Sequence, residues 1–294
     1  MVRFRDDVDG CGCLRCQGVD SDVLRRSGPG VVAWSTRLVF ERPSILLVLF
    51  AVAPVQLLSL VDSGAVVVAG AFVGVLGVFL GRGYVAVTGR ARLGDRTVSG
   101  VDALGTVLRR LPAFVGALAV LSAGLVALAV LIRVVLTPAL QAALGPVGVD
   151  PGLVDLVSLL VIAGSLLYAV VKFCVLPEAC FVGGYGPVRS LRVTWEITSL
   201  QTARAVVIVA GFAALLSLGV LLDTRLAGPT TPVALSFSYG QTTVVLRSFG
   251  FSLASGLRFV FDVVVTAVYS GVFLHQYVAG VFHRESSDVG DDVE

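Results

Sequence analysis

The sequence predicts an all-α, polytopic membrane helix bundle of about six transmembrane helices, and three observations point to it. Charged residues make up 14 % of the chain and hydrophobic residues 56 %, whereas a water-soluble domain carries roughly 25 % charged residues to face its solvent. The mean hydropathy is +0.93, and the apolar residues gather in runs long enough to cross a hydrocarbon core of ~30 Å. Arg and Lys, finally, cluster between alternate runs, as the positive-inside rule requires of a multi-pass chain.

The runs fall at 44–61, 65–87, 112–136, 153–177, 204–222 and 257–282. They are uninterrupted and lack the in–out alternation of a barrel wall, so they read as helices. Residues 223–256 mix Pro, Gly, Ser and Thr with apolar pieces at 244–246 and 249–253. That stretch reads either as an external loop or as a re-entrant segment whose backbone is satisfied by protein or water.

Basic residues place three stretches on one side. The first holds Arg3, Arg5, Arg15, Arg25, Arg26, Arg37 and Arg42; the second holds Arg82, Arg90, Arg92, Arg96, Arg109 and Arg110. The third holds Lys172, Arg189, Arg192 and Arg204, while 62–64 and 137–152 hold none. Six spans with both termini in the cytoplasm satisfy this distribution. The expected organisation is a polar cytoplasmic tail with a Cys cluster at 1–30, a transmembrane domain at 31–282 and an acidic cytoplasmic tail at 283–294. The charged stretch before Ser44 is too long for the n-region of a signal peptide, which makes the cell membrane the expected location.

An internal pattern recurs ahead of three spans. Val31, Trp34 and Leu38 are spaced i, i+3, i+7, as are Val101, Leu104, Leu108 and Val188, Leu191, Trp195. This spacing forms one helical stripe, and Gly30, Gly100 and Pro187 sit directly before the trios, as suits a helix start. Each unit reads as a short helix in the cytoplasmic interface followed by a transmembrane hairpin. Trp34 and Trp195 would anchor at headgroup depth. Successive units would be related by an axis along the membrane normal.

The stretch with Pro177, Glu178, Gly183, Gly186, Pro187, Leu191, Trp195 and Thr198 resembles a signature of six-span proteins related to the membrane domain of glycerophosphodiester phosphodiesterases. Thr194 stands where the signature has Ser, and Ser190 where it has Ala. A catalytic barrel needs roughly 250 residues of its own, and only short tails lie outside the membrane here. The resemblance therefore implies a membrane domain without the enzyme.

Candidate chemistry is sparse. Cys11, Cys13 and Cys16 form C-x-C-x-x-C, a spacing that can wrap a zinc ion if a fourth ligand such as Cys180 or His283 joins it. The odd count of five cysteines suggests reduced thiols rather than a disulfide framework. Asp262, Thr266, Tyr269 and Phe273 fall on one face of the last run, and a carboxylate at that depth should face protein or water. Asp262 and Tyr269 are thus a candidate buried polar site, with Arg258 one turn earlier as a partner. Arg133 and Asp155 are placed to pair across the loop between the third and fourth spans. Lys172 reads as a snorkelling residue, Glu178 as a turn or interface residue, and the Gly74–Gly77 stretch as a helix-packing surface.

No nucleophile elbow, zinc-protease motif or P-loop occurs, so no catalytic residue is assigned and a non-enzyme is expected. A net charge of +2 without a basic stripe gives no reason to expect nucleic acid. The expected partners are the lipid bilayer and other membrane proteins. The expected role is membrane organisation or lipid and partner binding. The alternatives are a small-solute or proton-linked transporter at Asp262, and a metal or redox sensor at the cysteine cluster.

Overall fold

A computed structural model describes residues 26–52, 64–147, 149–225, 231–233, 236–239, 242–245, 249–251 and 253–290, together with Val19. The chain opens with α1 (Gly28–Glu41) and α2 (Ser44–Val52), then α3 (Gly64–Leu93) and α4 (Gly100–Val130). A π-helical turn (Leu131–Leu136) carries α4 into α5 (Thr137–Leu144). Next come α6 (Pro151–Lys172), the short α7 (Leu176–Phe181), α8 (Pro187–Leu200), α9 (Thr202–Arg225) and α10 (Leu253–Gly290). Among the described residues five helices are long and apolar enough to cross a membrane: Phe72–Leu93, Gly100–Leu144, Pro151–Lys172, Thr202–Arg225 and Gly256–His283. The protein is a multi-pass helical membrane bundle. Of the first predicted span, Ser44–Val52 is helical, and 53–61 lie outside the described residues.

The fourth run, expected to 177, ends as α6 at Lys172, and two larger differences from the sequence expectation stand beside it. The third span and the interface helix before it are one rod, Gly100–Leu144, of 45 residues, or about 67 Å at 1.5 Å per residue. Pro112 lies inside it but removes only one donor, and neither Pro nor Gly breaks the rod. The stretch at 137–144, expected as loop, is helix because apolar Leu and Ala continue the pattern past Thr137. Thr137 Oγ1 lies 2.8 Å from both the Ile132 carbonyl and Ser158 Oγ, and its one proton serves either of them, so the hydroxyl sits between the π turn and α6 and ties the rod to that helix. Arg133 and Asp155 pair at 3.1 Å across the same hairpin, as their positions suggest.

The second difference is the excursion between α9 and α10. It contains β1 (Thr231–Val233), β2 (Ser236–Tyr239), β3 (Thr242–Val245) and β4 (Phe249–Phe251). β2 pairs antiparallel with β3, Tyr239 opposite Thr242, and β1 pairs with β4, Thr231 opposite Phe251. This is a nested hairpin rather than a bare loop. Its signal is in the sequence: β-branched residues in 242–245, with a glycine shortly before them.

In chain order the first turns of α4 and α8 each precede a pair of long helices, whereas α1 precedes α2, helical over the nine residues Ser44–Val52, and α3. The three trios also occupy different surroundings. Val31 and Leu38 are buried, Trp34 is half-buried, whereas Val101, Leu104, Leu108, Val188 and Trp195 are exposed. α1 packs on α10, so its apolar stripe is spent on protein contact. α4 and α8 instead bury alternative stripes, Ala103–Val107–Phe114 and Ser190–Val193–Ile197.

The buried core gathers at one end of the bundle, where the C-terminal halves of α3 and α10 meet α1, α7, α8 and the start of α4. At its centre is α7, every residue of which is buried. Glu178, expected at an interface, is completely enclosed. Arg82 of α3 donates to it through Nε at 2.8 Å and Nη2 at 2.9 Å, and also to the Cys174 carbonyl. The guanidinium stacks 3.9 Å from the centroid of the Phe273 ring. Arg90 Nη1 donates to the Val182 carbonyl at 2.8 Å, and Arg110 Nη1 to the Phe181 carbonyl at 2.8 Å. Helix C-termini present unsatisfied carbonyls and a negative dipole end, so cationic donors are the groups that allow α7 to end inside the protein. Two glycines make the approach possible. Gly184 has φ +65°, and a side chain there would meet the Arg110 guanidinium at 3.2 Å; one on Gly183 would strike the Tyr277 hydroxyl.

Elsewhere small residues set the spacing, as the glycine stretches suggested: Gly77 and Gly81 of α3 face Val52 and Leu49 of α2.

Breaking a buried ion pair by removing one partner leaves an uncompensated charge and costs about 3–5 kcal/mol. Glu178→Ala and Arg82→Met are each expected to lower stability by that amount in reversible unfolding in detergent. The double variant is expected to recover more than half of the summed loss. Additive losses would contradict a coupled pair.

Candidate functional site

Beyond the end of α4, the π turn and α5 are tied to α6 by the Arg133–Asp155 and Thr137–Ser158 contacts, and α4 and α6 both pack on α8 at the other end. Between these ties they diverge. The gap is a cleft of about 620 Å³, within the usual size range of small-molecule sites. Val120, Leu121, Gly124, Leu125 and Leu128 form one wall and Val161, Gly164, Ser165 and Ala169 the other. Gly124 and Gly164 have open space where a Cβ would stand. Tyr168, Phe173, Leu191 and Trp195 close the base. The Tyr168 and Trp195 rings meet edge-on at 5.8 Å, and Phe173 lies 5.9 Å from Trp195. Ser165 donates its hydroxyl to the Val161 carbonyl at 2.8 Å, so the walls present almost nothing polar.

Lys172, the last residue of α6, sits at the closed end. It does not snorkel: only 5 % of it is exposed. Its Nζ donates to Ser199 Oγ at 2.9 Å and to Thr202 Oγ1 at 3.4 Å. It lies 5.2 Å from the Trp195 ring centroid and 5.6 Å from that of Tyr168. The two hydroxyls can accept because each donates elsewhere, Ser199 to the Trp195 carbonyl and Thr202 to the Thr198 carbonyl. Aromatic faces, each worth on the order of 1 kcal/mol, and the carbonyl end of α6 hold the ammonium. Among the described residues no carboxylate pairs with it.

The sequence-predicted residues are distributed otherwise. Trp195 belongs to the cleft, but Trp34 packs 6.3 Å from His275, with the Arg26 guanidinium 5.5 Å from its ring. Asp262 and Tyr269 both face α9, at separate points, against Gly219 and Gly211. Arg258 bridges Asp262 at 3.5 Å and Asp223 at 3.0 Å, so the expected partner is present and shared with a second carboxylate. A small cavity of about 90 Å³ lies beside Asp262, Thr266 and Leu49. Tyr269 stacks with Phe212 at 5.2 Å, and the two residues do not form a joint site. Cys11, Cys13 and Cys16 lie outside the described residues. Cys180, considered as their fourth ligand, is enclosed beside α8. Among the described residues no group of three or more His, Cys, Asp or Glu side chains is placed to hold a metal.

Pattern reading missed the cleft because it depends on the divergence of two helices. Its only sequence mark is glycine at facing positions, Gly124 and Gly164, in runs otherwise filled by Leu, Val and Ala. Comparison with protein families, curated proteins and solved structures gives no match to this chain.

The α7 region also fixes two thiols. Burial pushes Cys174 up to about 12 and Cys180 up to about 11. At pH 8 such thiols are ionised in roughly one molecule per ten thousand and one per thousand, against about a quarter for an ordinary cysteine. N-ethylmaleimide is therefore expected to modify both at least about 100-fold more slowly in the folded protein than after denaturation in SDS. Equal rates would contradict the enclosure of α7.

Proposed function

We propose that the chain is a non-enzymatic protein of the cell membrane that binds lipid between α4 and α6 and thereby organises its surroundings or partner membrane proteins. The observation that carries this is the cleft itself: apolar, lateral and of ligand size, in a part of the bundle where α4 and α6 are otherwise exposed. An empty apolar cleft forfeits the dispersion contacts of its lining. In a bilayer the molecule at hand to restore them is an acyl or isoprenoid chain. Because lipid tails are as apolar as leucine, such binding is governed by shape and packing rather than by the hydrophobic effect.

Both termini are assigned to the cytoplasm. Supporting this, the end that gathers α1, α7 and α8 also carries Arg82, Arg90, Arg110 and Lys172, in keeping with the positive-inside rule. The likeness of 177–198 to the membrane domain of glycerophosphodiester phosphodiesterases belongs to the same proposal, as a membrane domain working without a catalytic barrel. A small-solute or proton-linked role would instead rest on Asp262, where two carboxylates share Arg258.

Trp34 and Trp195 are the chain's two tryptophans, so Trp34→Phe isolates the one in the cleft. Brominated phosphatidylcholine is expected to quench Trp195 strongly in that background. Adding Gly164→Phe, which fills open space and removes a helix-weakening glycine, is expected to cut the quenching by at least half while leaving thermal stability unchanged or higher. Undiminished quenching in the filled variant would overturn the cleft as a lipid site.

A further inference from the structure

Lys172 is a buried cation whose partners among the described residues are all neutral: two hydroxyls and two aromatic rings. Burying an ammonium without an opposite charge is costly, and simple snorkelling into water would avoid that cost. The chain instead folds α8 and the first turn of α9 over it. Ser199 is exposed and Thr202 half-buried, so the shell around the ammonium opens to the surface at Ser199. The aromatic base of the cleft, Tyr168 and Trp195, touches both the apolar space and the cation.

We infer that the occupant of the α4–α6 cleft is an anionic lipid, its chain lying between the helices and its phosphate or carboxylate seated on Lys172, Ser199 and Thr202. This rests on the lipid-binding reading above and adds the head-group class to it. The ammonium has three donors, of which the Ser199 and Thr202 hydroxyls take two. An anionic oxygen takes the third and supplies the missing charge. The hydroxyls turn from their backbone carbonyls to the head group at little cost, since each is a rotor with one donor. Basic pockets between transmembrane helices on the cytoplasmic side are a recurrent setting for anionic head groups. A zwitterionic lipid fits the apolar gap equally well but brings its own cation to Lys172. The cleft thus admits by shape and selects by charge.

The test is native mass spectrometry of the whole protein released from nanodiscs holding equal amounts of phosphatidylglycerol and phosphatidylcholine. The wild-type protein is expected to retain phosphatidylglycerol over phosphatidylcholine by about tenfold. Lys172→Gln is expected to retain the two equally. Ser199→Asp, at an exposed position, neutralises Lys172 from within and is expected to erase the preference even if Lys172→Gln fails to fold. Gly164→Phe is expected to retain neither lipid. Equal retention by the wild-type protein, or a preference that survives Ser199→Asp, overturns the head-group assignment and leaves the cleft standing. Loss of all lipid from the wild-type protein overturns the cleft and the head-group assignment together.

Discussion

Everything at the packed end of the bundle depends on the enclosure of Glu178 by Arg82. A carboxylate with no exposed surface is tolerable only if its charge is matched and both oxygens accept hydrogen bonds. The fork of one guanidinium meets both demands at 2.8 and 2.9 Å and fixes the position of α7 relative to α3. Burial pushes the Glu178 carboxyl above the usual carboxylate range, and the Arg82 guanidinium pulls against it. Arg90 and Arg110 then seal the carbonyl end of the same short helix. With α7 pinned, the chain leaves through Gly183 and Gly184 and starts α8 at Pro187, which sets where Trp195 and Ser199 lie. The cleft is therefore placed by a buried ion pair that does not itself line it.

The sequence made the class of fold legible because lipid solvation demands long apolar runs, and nothing else explains them. Span limits were readable to within a few residues for α9 and for the start of α6, marked by Asp150 and Pro151, but the run 153–177 overshoots α6, which ends at Lys172, and enters α7. The π turn and the continuous α4–α5 rod were not readable, because no local residue separates an interface helix from the span it feeds. The nested hairpin was legible in principle, from β-branched residues and Gly240, but its apolar pieces imitate an interfacial segment.

The functional residues were legible only in part. Lys172 and Glu178 stand near a span end, where exposure is the ordinary expectation. Their burial arises from α8 and α3, which are distant in sequence. The arginines counted for topology, Arg82, Arg90 and Arg110, turned out to act inside the protein. Charge asymmetry and internal satisfaction of α7 use the same side chains, so composition alone cannot separate the two roles. Trp195 was singled out as an interface anchor by its stripe, and it does meet an apolar surface, but that surface is a cleft with a cation beside it. Asp262 was singled out by the cost of charge in lipid, and that cost is met only in part: Arg258 lies 3.5 Å from one carboxylate oxygen and is shared with Asp223, while Oδ1 is buried without a hydrogen-bond partner.

The central claim, that the Arg82–Glu178 pair holds α7 and through it the site, is tested most directly by hydrogen exchange of the backbone amides read by mass spectrometry. Peptides covering 174–186 are expected to be among the slowest to exchange in the native protein. In Arg82→Lys, which keeps the charge but loses the bidentate fork, exchange there is expected to rise by at least tenfold while α9 is unchanged. Fast exchange of 174–186 in the native protein, or no change on substitution, would contradict the account.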